Sequence, residues 1–129
     1  MTALRDLASN LDVRESIRPA VHTASVNGQT VDMRGYNSAL VAITVGAVAG
    51  SGNVTPKMQE SDDDSTWSDV AAADLQGSFP ADLAADTVYK VGYLGSKRYV
   101  RAVGTLNSGT SVAYAAAFVL GDANLLPVA

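Results

Sequence analysis

Apolar side chains recur at every second position through the last part of the chain. Val112, Tyr114, Ala116, Phe118 and Leu120 fall on one side of an extended backbone; Ala113, Ala115, Ala117 and Val119 fall on the other. Side chains alternate across a strand, so this spacing predicts a strand over 112–120, apolar on both faces and central in its sheet. The alanine run alone also suits a helix, but the flanking turns and the Val, Tyr and Phe residues favour a strand. The same pattern predicts strands over 88–94 and 99–106, joined by Gly95-Ser96-Lys97, with Asn107-Ser108-Gly109 leading into the last strand. Residues 38–45 form a nearly continuous apolar run rich in β-branched residues, which reads as a strand buried on both faces.

Residues 53–61 alternate with Val54, Pro56 and Met58 on one side, and the proline assigns this strand to an edge or a bulge. Residues 61–66 are a polar turn, and 67–71 the partner strand of a hairpin. Residues 72–86 read as a long irregular surface connection. Earlier, 20–26 and 29–33 are short strand candidates around Asn27-Gly28, a two-residue hairpin signal. The first nineteen residues differ. Leu4, Leu7 and Leu11 recur at helical spacing, with Arg5, Asp6, Asp12, Arg14 and Glu15 between them. This predicts a short amphipathic helix, or an extended arm that orders against a neighbour, ending at Pro19. Seven or eight short strands with frequent turns predict an all-β fold: an antiparallel β-sandwich or jelly roll over 20–129, preceded by an arm or helix over 1–19.

Composition narrows the function. The 129 residues suit one domain, and the 47% hydrophobic content is mostly Ala and Val, which favours thin packed layers over a deep pocket. The net charge of −4 argues against nucleic-acid binding, which needs excess Lys and Arg to displace counterions. With no cysteine there is no disulfide, thiolate metal site or cysteine nucleophile. The charged residues among the first sixteen positions argue against a secretory signal. The apolar run over 39–49 is too short for a membrane-spanning helix.

Candidate chemistry is sparse. His22 is the only histidine; a triad would need it beside Ser25 or Ser38, and neither serine sits in a nucleophile elbow. Asp62, Asp63 and Asp64 could offer carboxylates to a cation, but they lack the alternating ligand spacing of a calcium loop, and Asp is favoured in turns for its own backbone hydrogen bonds. Asp69, Asp74, Asp82 and Asp86 are acid–base candidates by residue type alone. Trp67 with Tyr36, Tyr89, Tyr93 and Tyr99 could form a sugar-binding platform, though core or rim packing is the commoner role. Gly92, Gly95 and Gly104 do not make a phosphate loop. Lys97, Arg98 and Arg101 form the most basic segment of an acidic chain, suited either to a solvated strand end or to steering an acidic partner. The expectation is a protein without enzymatic activity, metal or cofactor.

Two segments carry a resemblance. Residues 59–70, Gln59 to Val70 through Asp62-Asp63-Asp64 and Trp67, resemble the ESDDGTTWTDV hairpin of small structural proteins of tailed phages and prophages. Residues 91–101, through Gly95 and Lys97-Arg98-Tyr99-Val100-Arg101, resemble the VGYxGxKRYVR strand pair of the same group. Residues 32–39, from Asp32 to Ala39, and Leu120-Gly121 also fit. The chain departs from the pattern where three aspartates stand for Asp-Gly. The hairpin and the Arg-Tyr-Val-Arg strand also resemble discoidin-type jelly rolls, in which Trp67 and Tyr99 would have packing roles.

The resemblance implies a virion structural protein: a capsid decoration protein bound to the major capsid protein on the outside of the head, made in the bacterial host cytoplasm. It implies a homo-oligomer, a trimer, with no nucleic-acid or membrane partner. Partner contacts would fall on Leu4, Leu7 and Leu11 of the arm and on Lys97, Arg98 and Arg101. A tail or head–tail joining protein and a carbohydrate- or cell-surface-binding module are the alternatives. An independent arm further implies that the core stays folded without residues 1–18.

Overall fold

The computed structural model describes residues 6–124. Within them ten strands form two antiparallel sheets. The strands are β1 (Asp12–His22), β2 (Val26–Asn27), β3 (Val31–Asp32), β4 (Tyr36–Ala49), β5 (Asn53–Ser61), β6 (Ser68–Asp69), β7 (Leu75–Gln76), β8 (Val88–Tyr93), β9 (Tyr99–Ser108) and β10 (Ser111–Ala123). The larger sheet runs β1-β10-β4-β8-β7; the smaller runs β2-β9-β5-β6, with β3 also paired to β9. If β2 and β3 are taken as one interrupted strand, the chain crosses between the sheets at every step except β5 to β6 and β7 to β8, in the jelly-roll manner. The fold is therefore an all-β antiparallel sandwich.

The core lies between the two inner faces. Val112, Tyr114, Ala116, Phe118 and Leu120 of β10 are all buried, as the period of two requires. They pack with Val41, Ile43 and Val45 of β4, Val91 and Tyr93 of β8, and Val54, Met58 and Val100 of the smaller sheet. β10 is central, between β1 and β4. β4 is also central, yet only one of its faces is buried: Leu40 and Ala42 are partly open and Thr44 is exposed. The apolar run over 38–45 thus lines a core on one side and leaves an apolar outer face on the other.

The N-terminal segment departs most from expectation. No helix spans Leu7 and Leu11; the Asn10 N–H closes a turn onto the Leu7 carbonyl. Leu4 lies outside the described residues. From Asp12 the chain is a strand, and it runs through Pro19 instead of breaking there. An edge strand tolerates proline because its outer N–H needs no partner, and β1 is an edge. The boundary expected at residue 19 therefore falls inside β1, and residues 12–18 belong to the sandwich.

The strand itself goes unseen in the sequence because β1 breaks the two-residue period. Ser16 and Ile17 are consecutive and both buried, at a register shift between Glu15 and Ile17. Ile17 stays on the inner face opposite Ala116, while the extra residue of the bulge, Ser16, turns to the other sheet. There the Ser16 hydroxyl accepts the Ala102 N–H at 3.0 Å and donates to the Gln29 carbonyl at 3.0 Å. The Gln29 N–H returns to the Ser16 carbonyl.

This contact also explains Asn27-Gly28. The pair makes no hairpin: β2 and β3 both run along β9, and the Gly28 N–H donates to the Ala102 carbonyl. A Cβ at position 28 would collide with the Ser16 hydroxyl and the Ala102 carbonyl, so glycine is there for a close approach. Pro56 lies opposite Gly104 in β5, on a stretch that β6 does not cover, as an edge position predicts. The connection over 72–86 is irregular apart from a short 3₁₀ turn and β7, but it is not all surface. Leu83 is buried, and its N–H donates to the Val54 carbonyl.

Replacing Ser16 by alanine removes the partner of the buried Ala102 N–H and a donor to Gln29. Ser16→Ala is expected to lower the unfolding free energy by about 2–3 kcal/mol in a urea titration with an unchanged m-value.

Candidate functional site

One end of the sandwich gathers the residues singled out by their chemistry. It is built from the turn after β5, the start of β9, β3 and the loop joining β8 to β9. The register aligns them: Ser61 lies opposite Tyr99, and Val31 opposite Val100.

The acidic turn is organised by its own backbone. The Asp63 carboxylate accepts the N–H groups of Ser65 and Thr66 and the Ser61 hydroxyl. The backbone N–H of Thr66, then that of Ser65, hold the Asp63 carboxyl below its usual range. Asp64 has φ +59°, the left-handed conformation that a glycine at this position would adopt most easily. Aspartate tolerates it, and here the Asp64 carboxylate accepts the Thr30 hydroxyl at 2.6 Å. Asp62 turns to Lys97, with Oδ2 2.7 Å from Nζ. The three carboxylates thus serve three different partners. Among the described residues no cluster of three or more His, Cys, Asp or Glu could hold a metal ion.

The basic residues are matched within the chain. Arg98 grips Asp32 with a two-pronged guanidinium–carboxylate pair, Nε to Oδ1 at 2.9 Å and Nη2 to Oδ2 at 2.8 Å. The Arg98 guanidinium also lies 4.9 Å from the Tyr99 ring centre. Arg101 donates twice to Gln59 Oε1, and its guanidinium stacks 4.4 Å over Trp67. Arg14 donates to the Asp32 carbonyl and lies 5.6 Å from the Tyr36 ring centre, which ties β1 to this end. Beneath, the buried Tyr93 hydroxyl donates to Glu60 at 2.7 Å and accepts the Lys97 N–H. Burial and the Glu60 carboxylate push the Tyr93 phenol well above its ordinary range.

The structure thus brings Asp62, Asp63, Asp64, Trp67, Lys97, Arg98, Tyr99 and Arg101 together. Leu7 and Leu11 lie elsewhere: Leu7 is exposed, and Leu11 rests against Gly121. Asp32, the anchor of Arg98, was visible in sequence only as part of the resemblance. A ladder partner 66 residues away leaves no local signal.

The remaining polar candidates are dispersed. His22 Nε2 lies 2.9 Å from the Arg18 carbonyl, and its ring sits 4.6 Å from that of Tyr114. The Ser25 hydroxyl accepts the Leu106 N–H, and Ser38 is exposed on β4. Asp69 binds Gln59 and Lys57. No helix among the described residues is long and apolar enough to cross a membrane.

The architecture defines the class as a two-sheet jelly-roll sandwich with a charge-balanced end. A solved structure shares the sandwich fold: the SPBc2 prophage-derived protein YomS, 13% identical, superposes with a TM-score of 0.51 over 85% of this chain and 93% of that one. At that identity the likeness is one of fold. No protein-family model matches the chain. No curated protein matches it either.

The Arg98 guanidinium, first, and the Arg34 N–H hold the Asp32 carboxyl down at about 2, against the opposing effect of its partial burial. A folded value below the unfolded one means that the contact stabilises above the unfolded range, about pH 4, and is lost as pH falls toward 2. Melting temperature is therefore expected to hold steady from neutral pH down to about pH 5 and to fall below about pH 4. In Asp32→Asn it should start lower at neutral pH and fall less steeply in acid, as read by circular dichroism melts.

Proposed function

We propose that the chain is a non-enzymatic structural protein of a tailed-phage particle and, within that class, a decoration protein on the outer surface of the head. The observation that carries this reading is the joining of the two segments that resemble phage proteins. The turn over 61–67 and the strand over 97–101 are one unit, linked by the Asp62–Lys97 ion pair and the stacking of Arg101 on Trp67. The fold shared with a prophage-derived protein supports the same reading.

The working surface in this reading is rigid and close to neutral. Lys97, Arg98 and Arg101 are spent on Asp62, Asp32, Gln59 and Trp67, so shape and fixed hydrogen-bonding groups carry recognition of the major capsid protein, with free positive charge a minor contribution. A decoration protein needs this more than it needs a catalytic cleft, because it acts by adding contacts across neighbouring capsid subunits.

The test is reconstitution of the purified chain onto heads that lack it, followed by sedimentation and cryo-electron microscopy. Saturable co-sedimentation and density repeated over the head lattice are expected. Density confined to the tail or to the portal vertex would replace decoration with a joining or tail role.

A further inference from the structure

The outer face of the larger sheet is apolar and open among the described residues, apart from Leu11, which rests against Gly121 at one end of it. Paired residues of a ladder share a face, so the register gives its composition row by row. One row reads Val13, Val119, Leu40, Gly92 and Gln76 across β1, β10, β4, β8 and β7. The next reads Glu15, Ala117, Ala42 and Lys90. A third holds Ala115, Thr44 and Val88, and a fourth Val21 and Ala113. Val13, Val21 and Val88 are 65%, 65% and 68% exposed. The centre is built of alanine and glycine, which leaves it flat enough for another sheet to approach closely.

Glu15 and Lys90 are the two charges in these rows. They have opposite sign, occupy the same row and sit on the strands flanking the alanine centre. Three strand spacings separate them, about 14 Å, too far to pair within one chain. Glu15 is held only by Arg18, at 3.9 Å with both side chains exposed, a contact worth little. Lys90 has no ion-pair partner among the described residues.

We propose that this face binds a second copy of the chain, sheet on sheet, about a two-fold axis that runs parallel to the strands between β10 and β4. That rotation lays β10 on the partner's β4 and β1 on the partner's β8. Glu15 then meets the partner's Lys90, and Lys90 the partner's Glu15, so one patch complements itself twice. A two-fold axis running across the strands would instead set Glu15 against Glu15 and Lys90 against Lys90. Aligned sheets pack about 10 Å apart, a gap the valines and leucine at the margins can fill around the small-residue centre. Four strands about 4.8 Å apart and roughly 30 Å long give about 600 Å² per copy, so the pair buries about 1,200 Å², the lower bound for a specific interface. The sheet edge is a poorer alternative, because β1 carries Pro19 and two register breaks. The pairing is a property of the isolated chain and stands or falls independently of the head reading.

The test is sedimentation equilibrium and native mass spectrometry of the full chain up to roughly 100 μM, where an interface of this size is populated. A dimer is expected. Ala117→Arg puts charge at the centre of the face and should weaken association by at least about 100-fold, since burying an unpaired charge is costly. Glu15→Lys and Lys90→Glu, each alone, set like charges together and should weaken it by about tenfold or more, while the double swap restores it. The swapped residues are exposed, so the monomer's melting temperature should stay unchanged. A monomer throughout, a trimer, a dimer indifferent to Ala117→Arg, or a double swap that fails to restore association would overturn the proposal.

Discussion

The two sheets are stitched along one seam by the hydroxyl of Ser16. A bulge in β1 frees this residue from its own ladder, and the side chain takes the place of a missing strand partner for Ala102 in β9. Three features of the sequence answer to that single contact. Gly28 is a glycine because the hydroxyl and the Ala102 carbonyl leave no room for a side chain. β2 and β3 are separate pieces because the chain must step around the seam between them. Ile17 follows directly as a core residue, since the bulge restores the inner face after one position. A buried backbone N–H without a partner is costly, so the seam has to be closed by something, and a serine at the bulge does it with one oxygen.

At the end of the sandwich the same economy governs charge. The acidic turn is tied to the basic strand start by the Asp62–Lys97 pair, and Arg101 stacks on Trp67 beside it. An isolated exposed ion pair contributes little, but the two-pronged Arg98–Asp32 contact fixes a geometry as well as a charge. The result is a surface with defined shape and small net field. The outer face of the larger sheet is its opposite, open and apolar with two charges at its flanks.

How much of this could be read from the sequence varied with how local the cause was. β8, β9 and β10 were legible because Val112 to Leu120 keep a strict alternation and glycine-containing turns bound them. β1 was not, because two adjacent buried residues and a proline erase the period, while Leu4, Leu7 and Leu11 imitate a helix. Asn27-Gly28 gave a hairpin signal for a glycine whose real constraint is a neighbour 74 positions later in the chain, Ala102. Leu83 was hidden in a polar connection. The site residues were legible as types and as a resemblance, Trp67 and Arg101 included. Their stacking and the pairing of Arg98 with Asp32 are products of strand register, which no local pattern encodes.

The position of β10 has a consequence for how the molecule is made. It is the central strand of the larger sheet, bonded to β1 on one side and β4 on the other, yet it is the last strand of the described chain. During synthesis β1 and β4 cannot be joined into one sheet until residues 111–123 have emerged, so the hydrogen-bonding edge of β4 that takes up β10 stays without its partner for most of that time. A topology dominated by such distant pairings closes slowly. The nascent chain therefore passes through a long interval with exposed sheet-forming surface, the interval in which chaperone capture or misassembly competes with folding.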